Sequence, residues 1–128
     1  MSQNTVDELL ALNQRLLTSI INGDWATYAQ LCDPAITAFE PEARGQLVQG
    51  LDFHHYYFKL ERSGGARQAT MCSPHVRVVG DVAVLAYVRL TQTLNGNGEP
   101  STSAAEETRV WEKKAGGWKH VHFHRSPI

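Results

Sequence analysis

The chain has 128 residues, enough to bury a core in one domain, and its 42% hydrophobic and 20% charged residues exclude a disordered chain. A formal net charge of −1 lacks the basic footprint of a nucleic-acid binder, so no nucleic-acid partner is expected. The longest apolar stretch, Val82 to Val88, is far short of the roughly 18 residues that cross a membrane, and Met1 to Val6 holds no signal-peptide core. With only Cys32 and Cys72 there is no disulfide framework. Reduced thiols in a cytoplasmic protein with no membrane partner are the expectation.

The first predicted element is a helix. Val6, Leu9, Leu10, Leu16, Leu17, Ile20 and Ile21 recur at helical spacing and form one apolar stripe. Thr5 and Glu8 match a capping box, and Asn22-Gly23 supplies a stop, because glycine takes the left-handed conformation that ends many helices. Asp24 can cap a short second helix running through Cys32, closed by Asp33-Pro34. Ile36 to Phe39 reads as a strand and Glu40 to Gly50 as a loop. Leu51 to Leu60 reads as a third helix with Phe53, Tyr56, Tyr57 and Leu60 on one face and His54 beside Phe58. Ser63-Gly64-Gly65 is a turn signal.

From Ala66 onward the pattern turns to strands: Gln68 to Val79, Val82 to Leu94, Ser103 to Lys114 and Trp118 to Arg125. Short connections at Gly80-Asp81, Asn95 to Pro100 and Gly116-Gly117 make them antiparallel neighbours. Helices first and a meander after give an α+β fold with helices on one sheet face, in a single domain over residues 1–128.

Alternation along a strand assigns its faces. Val82, Val84, Ala86, Val88 and Leu90 share one face; Ala83, Leu85, Tyr87 and Arg89 share the other. Both are apolar, and helices can cover only one. The uncovered face is expected to bind a second copy of the chain, unless the strand is buried on both sides within one monomer. Parity also puts Arg109 with Glu107 and Trp111, and Arg125 with Val121 and Phe123. Three arginines therefore sit near the same end of apolar faces. A guanidinium cannot shed its charge, so burial demands a carboxylate. Two sources stay open: internal pairing with Glu40, Glu42, Glu106 or Glu107, or an external carboxylate in a pocket.

His120, His122 and His124 alternate on the last strand and are expected on one face. Neighbours there lie roughly 6–7 Å apart, close enough for two to share a metal, but no third ligand is fixed, so no metal and no cofactor is expected. These histidines read better as packing against a partner subunit. His54 on the third helix can face the pocket or solvent, and His75 after Pro74 reads as structural. There is no G-x-S-x-G elbow and no phosphate-cradling glycine loop, so no catalytic residue is assigned. Acid–base work would have to come from Glu40, Asp52, His54 and Tyr87 meeting in one cavity.

Several blocks are specific. Asn22-Gly23-Asp24-Trp25, Cys32-Asp33-Pro34, Thr37-Ala38-Phe39-Glu40-Pro41-Glu42-Ala43, Gly50-Leu51-Asp52-Phe53-His54 and Tyr57-Phe58 resemble the association (hub) domain of calcium/calmodulin-dependent protein kinase II. So do Pro74-His75, Ala86-Tyr87-Val88-Arg89-Leu90-Thr91-Gln92, Glu106-Glu107-Thr108-Arg109-Val110-Trp111 and Val121-His122-Phe123-His124-Arg125-Ser126. The match keeps register from about Val6 to Ser126.

The resemblance implies a cone-shaped fold of the nuclear-transport-factor-2 (NTF2)/SnoaL-like or cystatin-like type, with one long and two shorter helices on a strongly bent antiparallel sheet. It implies a homo-oligomer with a dimer as its smallest unit, rings of dimers forming through the outer sheet face. Val84, Val88, His122 and His124 are the expected interface residues. It also implies a pocket of Arg89, Arg109, Arg125 and His54 that receives a small carboxylate or a peptide, and Tyr87 and Glu40 join it as candidates from the strand and loop pattern. Two departures touch that pocket: His55 replaces the family's arginine, and the loop from Lys59 to Ala66 is shorter and lacks its tryptophan. No kinase domain, calmodulin-binding helix or linker accompanies the domain, so a stand-alone protein and an excised domain both remain open, and neither phosphorylation nor a calcium response is expected of these residues. The alternative is an enzyme of the SnoaL type, an isomerase, cyclase or dehydratase, with Glu40 or His54 as base and Tyr87 as proton donor.

Overall fold

The computed structural model describes residues 3–61 and 65–128. Three helices and six strands follow in the order α1 (Gln3–Asn22), α2 (Trp25–Leu31), β1 (Cys32–Phe39), a 3-10 turn (Pro41–Ala43), β2 (Val48–Gln49), α3 (Asp52–Phe58), β3 (Arg67–Val79), β4 (Val82–Leu94), β5 (Pro100–Lys114) and β6 (Gly117–Pro127). The sheet runs β2-β1-β6-β5-β4-β3. The four long strands and the helix-then-meander order agree with the sequence pattern.

The apolar stripe of α1 buries Leu9, Leu16 and Leu17 completely, together with Asn13 and Ser19. Its end is a Schellman turn. Gly23 takes φ 66°, its N–H donates to the Ile20 carbonyl, and the Asp24 N–H donates to the Ser19 carbonyl at 2.8 Å. Asp24 then caps α2 by accepting from the Thr27 N–H at 3.2 Å and the Thr27 hydroxyl at 2.7 Å. The helix begins at Gln3, so Thr5 lies inside it rather than at its cap.

β1 starts at Cys32, earlier than Ile36, and pairs in parallel with β6, whereas the other neighbours pair antiparallel. The stretch read as loop contains the 3-10 turn and β2. In α3 the expected face is turned. His54 is buried and Phe58 packs against the core, as Phe53 of the expected face also does, while Tyr56 and Leu60 are exposed. A short helix can be rotated by the strand it must cover, and hydrophobic spacing alone does not fix which side wins. The turn at Ser63-Gly64-Gly65 falls partly outside the described residues.

Burial along β4 follows parity. Ala83, Leu85 and Tyr87 are buried, and Val82 through Leu90 on the even face are half-buried or exposed. Ala105, Glu107, Arg109 and Trp111 of β5 face the same interior. β6 departs from it. Val110 pairs with His122 but Trp111 pairs with His120, so Val121 is an extra residue and the strand bulges. His120 is thereby turned inward and fully buried, while His122 and His124 stay outside. The expectation that all three histidines share a face is corrected by that bulge. It also separates Val121 from the face that carries Phe123 and Arg125.

Candidate functional site

A cavity of about 230 Å³ opens between the helices and the sheet. It is lined by Arg89 of β4, Arg109 of β5, Phe123 and Arg125 of β6, Glu40 and Glu42 after β1, Tyr28 of α2, and His54, Tyr57 and Phe58 of α3, with Ile20 from α1. Five of the six expected pocket residues meet there. Tyr87 lies in the layer behind.

That layer is a continuous polar network anchored on α1. The Trp111 indole N–H donates to Asn13 Oδ1 at 3.0 Å, and Asn13 Nδ2 donates to the Tyr87 hydroxyl oxygen at 2.9 Å. The Tyr87 O–H donates to Glu107 Oε1 at 2.6 Å, and Arg109 Nε donates to both Tyr87 (2.9 Å) and Glu107 (3.1 Å). Arg109 Nη2 lies 3.1 Å from Glu107 Oε1. Arg89 Nη1 lies 3.2 Å from Glu107 Oε2, near enough for charge attraction but off the line a hydrogen bond requires. Arg125 pairs with Glu42. The arginines thus meet internal carboxylates, Glu107 for two and Glu42 for the third. Glu40 makes no ion pair within 4 Å among the described residues.

The electrostatics follow from burial. Burial opposes the charge of Glu107, but Arg109 and Arg89 outweigh it and hold its pKa below the usual value. Glu40 is pushed up by burial and by the neighbouring Glu42. Burial, helped by Arg109, takes the His54 pKa down to about 4, and burial drives that of buried His120 well below the normal range. Burial raises Tyr87 to about 12 and Cys32 to about 12. Both imidazoles are therefore neutral at pH 7, both of these acids keep their protons, and the arginines carry the fixed positive charge.

His54 Nδ1 is 2.9 Å from the Tyr28 hydroxyl, whereas its Nε2 is buried with no hydrogen-bond partner among the described residues. The Arg109 guanidinium sits 4.4 Å from the centre of the Phe123 ring and its Nη1 is 3.4 Å from His120 Nε2. An arrangement of fixed cations beside apolar rings can bind an anion with an apolar body. No group of three or more histidine, cysteine or acidic side chains placed to hold a metal occurs among the described residues.

Sequence reasoning underrated Asn13, Tyr28, Glu107 and His120. Asn13 had a usable signal, since it stands four residues after Leu9 on the apolar stripe, where a polar side chain needs a buried partner. Tyr28 and His120 had none, because α2 is short and the bulge is silent in the sequence.

The four expected interface residues lie on the opposite, outer face. His122 Nδ1 is 2.7 Å from Thr37 Oγ1, and Phe39, 39% exposed, packs its ring against His122 and His124 at 6.1 and 5.5 Å. Val84 and Val88 are half-buried beside exposed Ala86. No described helix is long and apolar enough to cross a membrane.

Known proteins place these features in a family. The family model "Calcium/calmodulin dependent protein kinase II association domain" matches residues 5–128. The delta subunit of the type II kinase from Oryctolagus cuniculus is 48% identical over 122 residues, covering 93% of this chain but only 23% of that protein. The CaMKII hub homology domain of Chlamydomonas reinhardtii superposes with a TM-score of 0.91 at 56% identity, covering 97% of this chain and 98% of that one. The association domain of C. elegans CaMKII also gives 0.91, at 44% identity over 97% and 96% of the two chains. An NTF2-like protein from Salmonella enterica, 24% identical with a TM-score of 0.79 over 98% of this chain and 93% of its own, shares the fold. With a family model matched over residues 5–128, a relative 48% identical over 122 residues and a hub homology domain superposing at a TM-score of 0.91, this chain belongs to the CaMKII association-domain family.

Proposed function

We propose that this chain is a self-assembling hub that joins copies of itself through the outer sheet face, with a dimer as its smallest unit. The observation that supports this is the sidedness of the sheet. Ala83, Leu85 and Tyr87 are buried on one face, while Val82, Val84, Ala86, Val88 and Leu90 of the other face are half-buried or exposed. An apolar face of this kind is stabilised by a partner presenting its own apolar surface, and an isologous pair meets that need with one patch. Val84, Val88, His122 and His124 are the residues assigned to the contact. Light scattering at tens of micromolar protomer should give a mass of at least two chains, and Val88→Glu should lower it without changing the far-ultraviolet circular dichroism. A wild-type monomer at that concentration refutes the proposal.

A second reading concerns the cavity, and the three arginines support it. Each guanidinium has five N–H donors, and the internal pairs use only some of them. The pocket is proposed to take a small carboxylate or the acidic end of a peptide, with Arg89, Arg109, Arg125 and His54 as donors, Glu40 at its wall and Tyr87 positioning Arg109 from behind. Calorimetry with a panel of small acids tests this. Arg109→Ala should abolish the heat and the more exposed Arg125→Ala should reduce it, and a silent wild type means that the arginines serve only the fold. The isomerase-type alternative is less favoured, because its proton donor, Tyr87, does not line the cavity and spends its O–H on Glu107.

A further inference from the structure

The three arginines differ in what it takes to release them. Arg89 and Arg109 share Glu107, whose side chain is fully shielded from water. Pulling either away would leave a buried carboxylate short of a partner, which is strongly unfavourable. Arg125 pairs with Glu42, and there the carboxylate side chain is 37% exposed. Glu42 stands on the Pro41–Ala43 turn at the cavity wall, so rotation about its own side-chain bonds takes it into solvent without breaking any strand pairing. Its pKa is lowered: burial works against the charge, and the hydrogen bond and charge of Arg125 more than offset it. Glu40 adds a second carboxylate to the same wall.

We propose that Glu42 is a built-in competitor for Arg125, so that an external carboxylate enters by displacing the Glu42 side chain into water, and Glu42 thereby sets the affinity of the pocket. The proposal rests on the carboxylate reading of the cavity and adds to it a named affinity-determining residue and a narrower ligand class. The exchange keeps one carboxylate on Arg125 throughout. The displaced Glu42 and the nearby Glu40 then repel further negative charge, so the pocket selects small monocarboxylates over dicarboxylates. The apolar body of such an acid fits against Ile20, Phe58 and Phe123. Glu107 cannot be exchanged in this way, so Arg89 and Arg109 contribute only the donors that Glu107 leaves unused.

The test is calorimetric titration of the full chain with benzoate and, for comparison, phthalate. Glu42→Ala is expected to tighten benzoate about two- to fivefold, the range set by removing one partly exposed ion-pair competitor. Arg125→Ala should weaken it, and Glu42→Ala should have no further effect when Arg125 is already alanine, because the competition needs its target. Glu42→Gln, which keeps the side chain and loses the charge, should reproduce part of the gain if the alanine variant folds poorly. Unchanged benzoate affinity in both Glu42 variants, or a gain that persists without Arg125, overturns the proposal while the carboxylate pocket stands. If neither the wild type nor any variant binds benzoate or other small acids, the carboxylate pocket itself is refuted and the competitor falls with it.

Discussion

Acidification should destabilise this fold in a window set by its buried histidines. His54 and His120 both have folded pKa values below the 6.5 of a free imidazole, about 4 for His54 and well below normal for fully buried His120. A depressed value means that the folded state holds the neutral ring. The stability this confers is intact above pH 6.5 and is lost as the pH falls toward the folded value, because the unfolded chain takes up protons that the fold refuses. Each pH unit below 6.5 costs about 1.4 kcal/mol per histidine, so His54 alone loses about 3 kcal/mol by pH 4. Two such rings remove a large share of the roughly 5–15 kcal/mol that holds a domain together. Glu107, held low by its arginines, stays ionised through most of this range. Urea unfolding followed by tryptophan fluorescence, at fixed protomer concentration, should show a slope approaching about two protons per chain between pH 6 and 5. His54→Gln should remove about one of them. Unfolding free energy that stays flat from about pH 7.5 to 5 would refute the claim that these rings are buried neutral.

Three further perturbations concern the cavity wall and the polar network behind it. Glu107→Gln leaves Arg89 and Arg109 without their shared anion and should cost about 3–5 kcal/mol, seen as a fall in Tm of about 10 °C or more. Tyr87→Phe deletes the oxygen that joins Asn13, Glu107 and Arg109, and should cost about 1–3 kcal/mol in denaturant unfolding with little change in secondary structure. Glu40→Gln should stabilise. The raised pKa of Glu40 means its favourable contribution exists below the unfolded value and is lost as the pH rises through the folded one. Calorimetric Tm should therefore rise by roughly 2 °C at about pH 7.5 and not change near pH 4.

The sequence carried the meander and its sidedness, because β4 alternates in burial from Val82 to Val88 and β5 from Ala104 to Glu112. It also carried the convergence of Arg89, Arg109 and Arg125, since unavoidable charge on an apolar face demands a common solution. The choice among carboxylates was not legible. Glu107 wins because it is on the same face as Arg109 and one strand over from Arg89, whereas Glu106, its neighbour in the chain, points outward. The parallel pairing of β1 with β6 was hidden because nothing local encodes a contact across more than eighty residues. The rotation of α3 was hidden too, for Tyr56 and Tyr57 look like core residues until His54 is seen to bond Tyr28.

Val121 sets the phase of the last strand. A strand has two sides, and which side a residue takes depends on a count of odd and even from the start of the strand. The bulge resets that count partway along β6, so the strand behaves as two segments spliced out of phase. Its first segment gives the interior a neutral imidazole against Trp111 and Cys32; its second gives the cavity Phe123 and Arg125 and leaves His122 and His124 outside. A strand that kept Val121 but paired straight through it would exchange the two sets beyond it, turning the Arg125 guanidinium to the outer face and the His122 and His124 imidazoles toward the cavity. The outer face with His122 and His124 and the cavity with Phe123 and Arg125 are in this sense kept apart by one bulge.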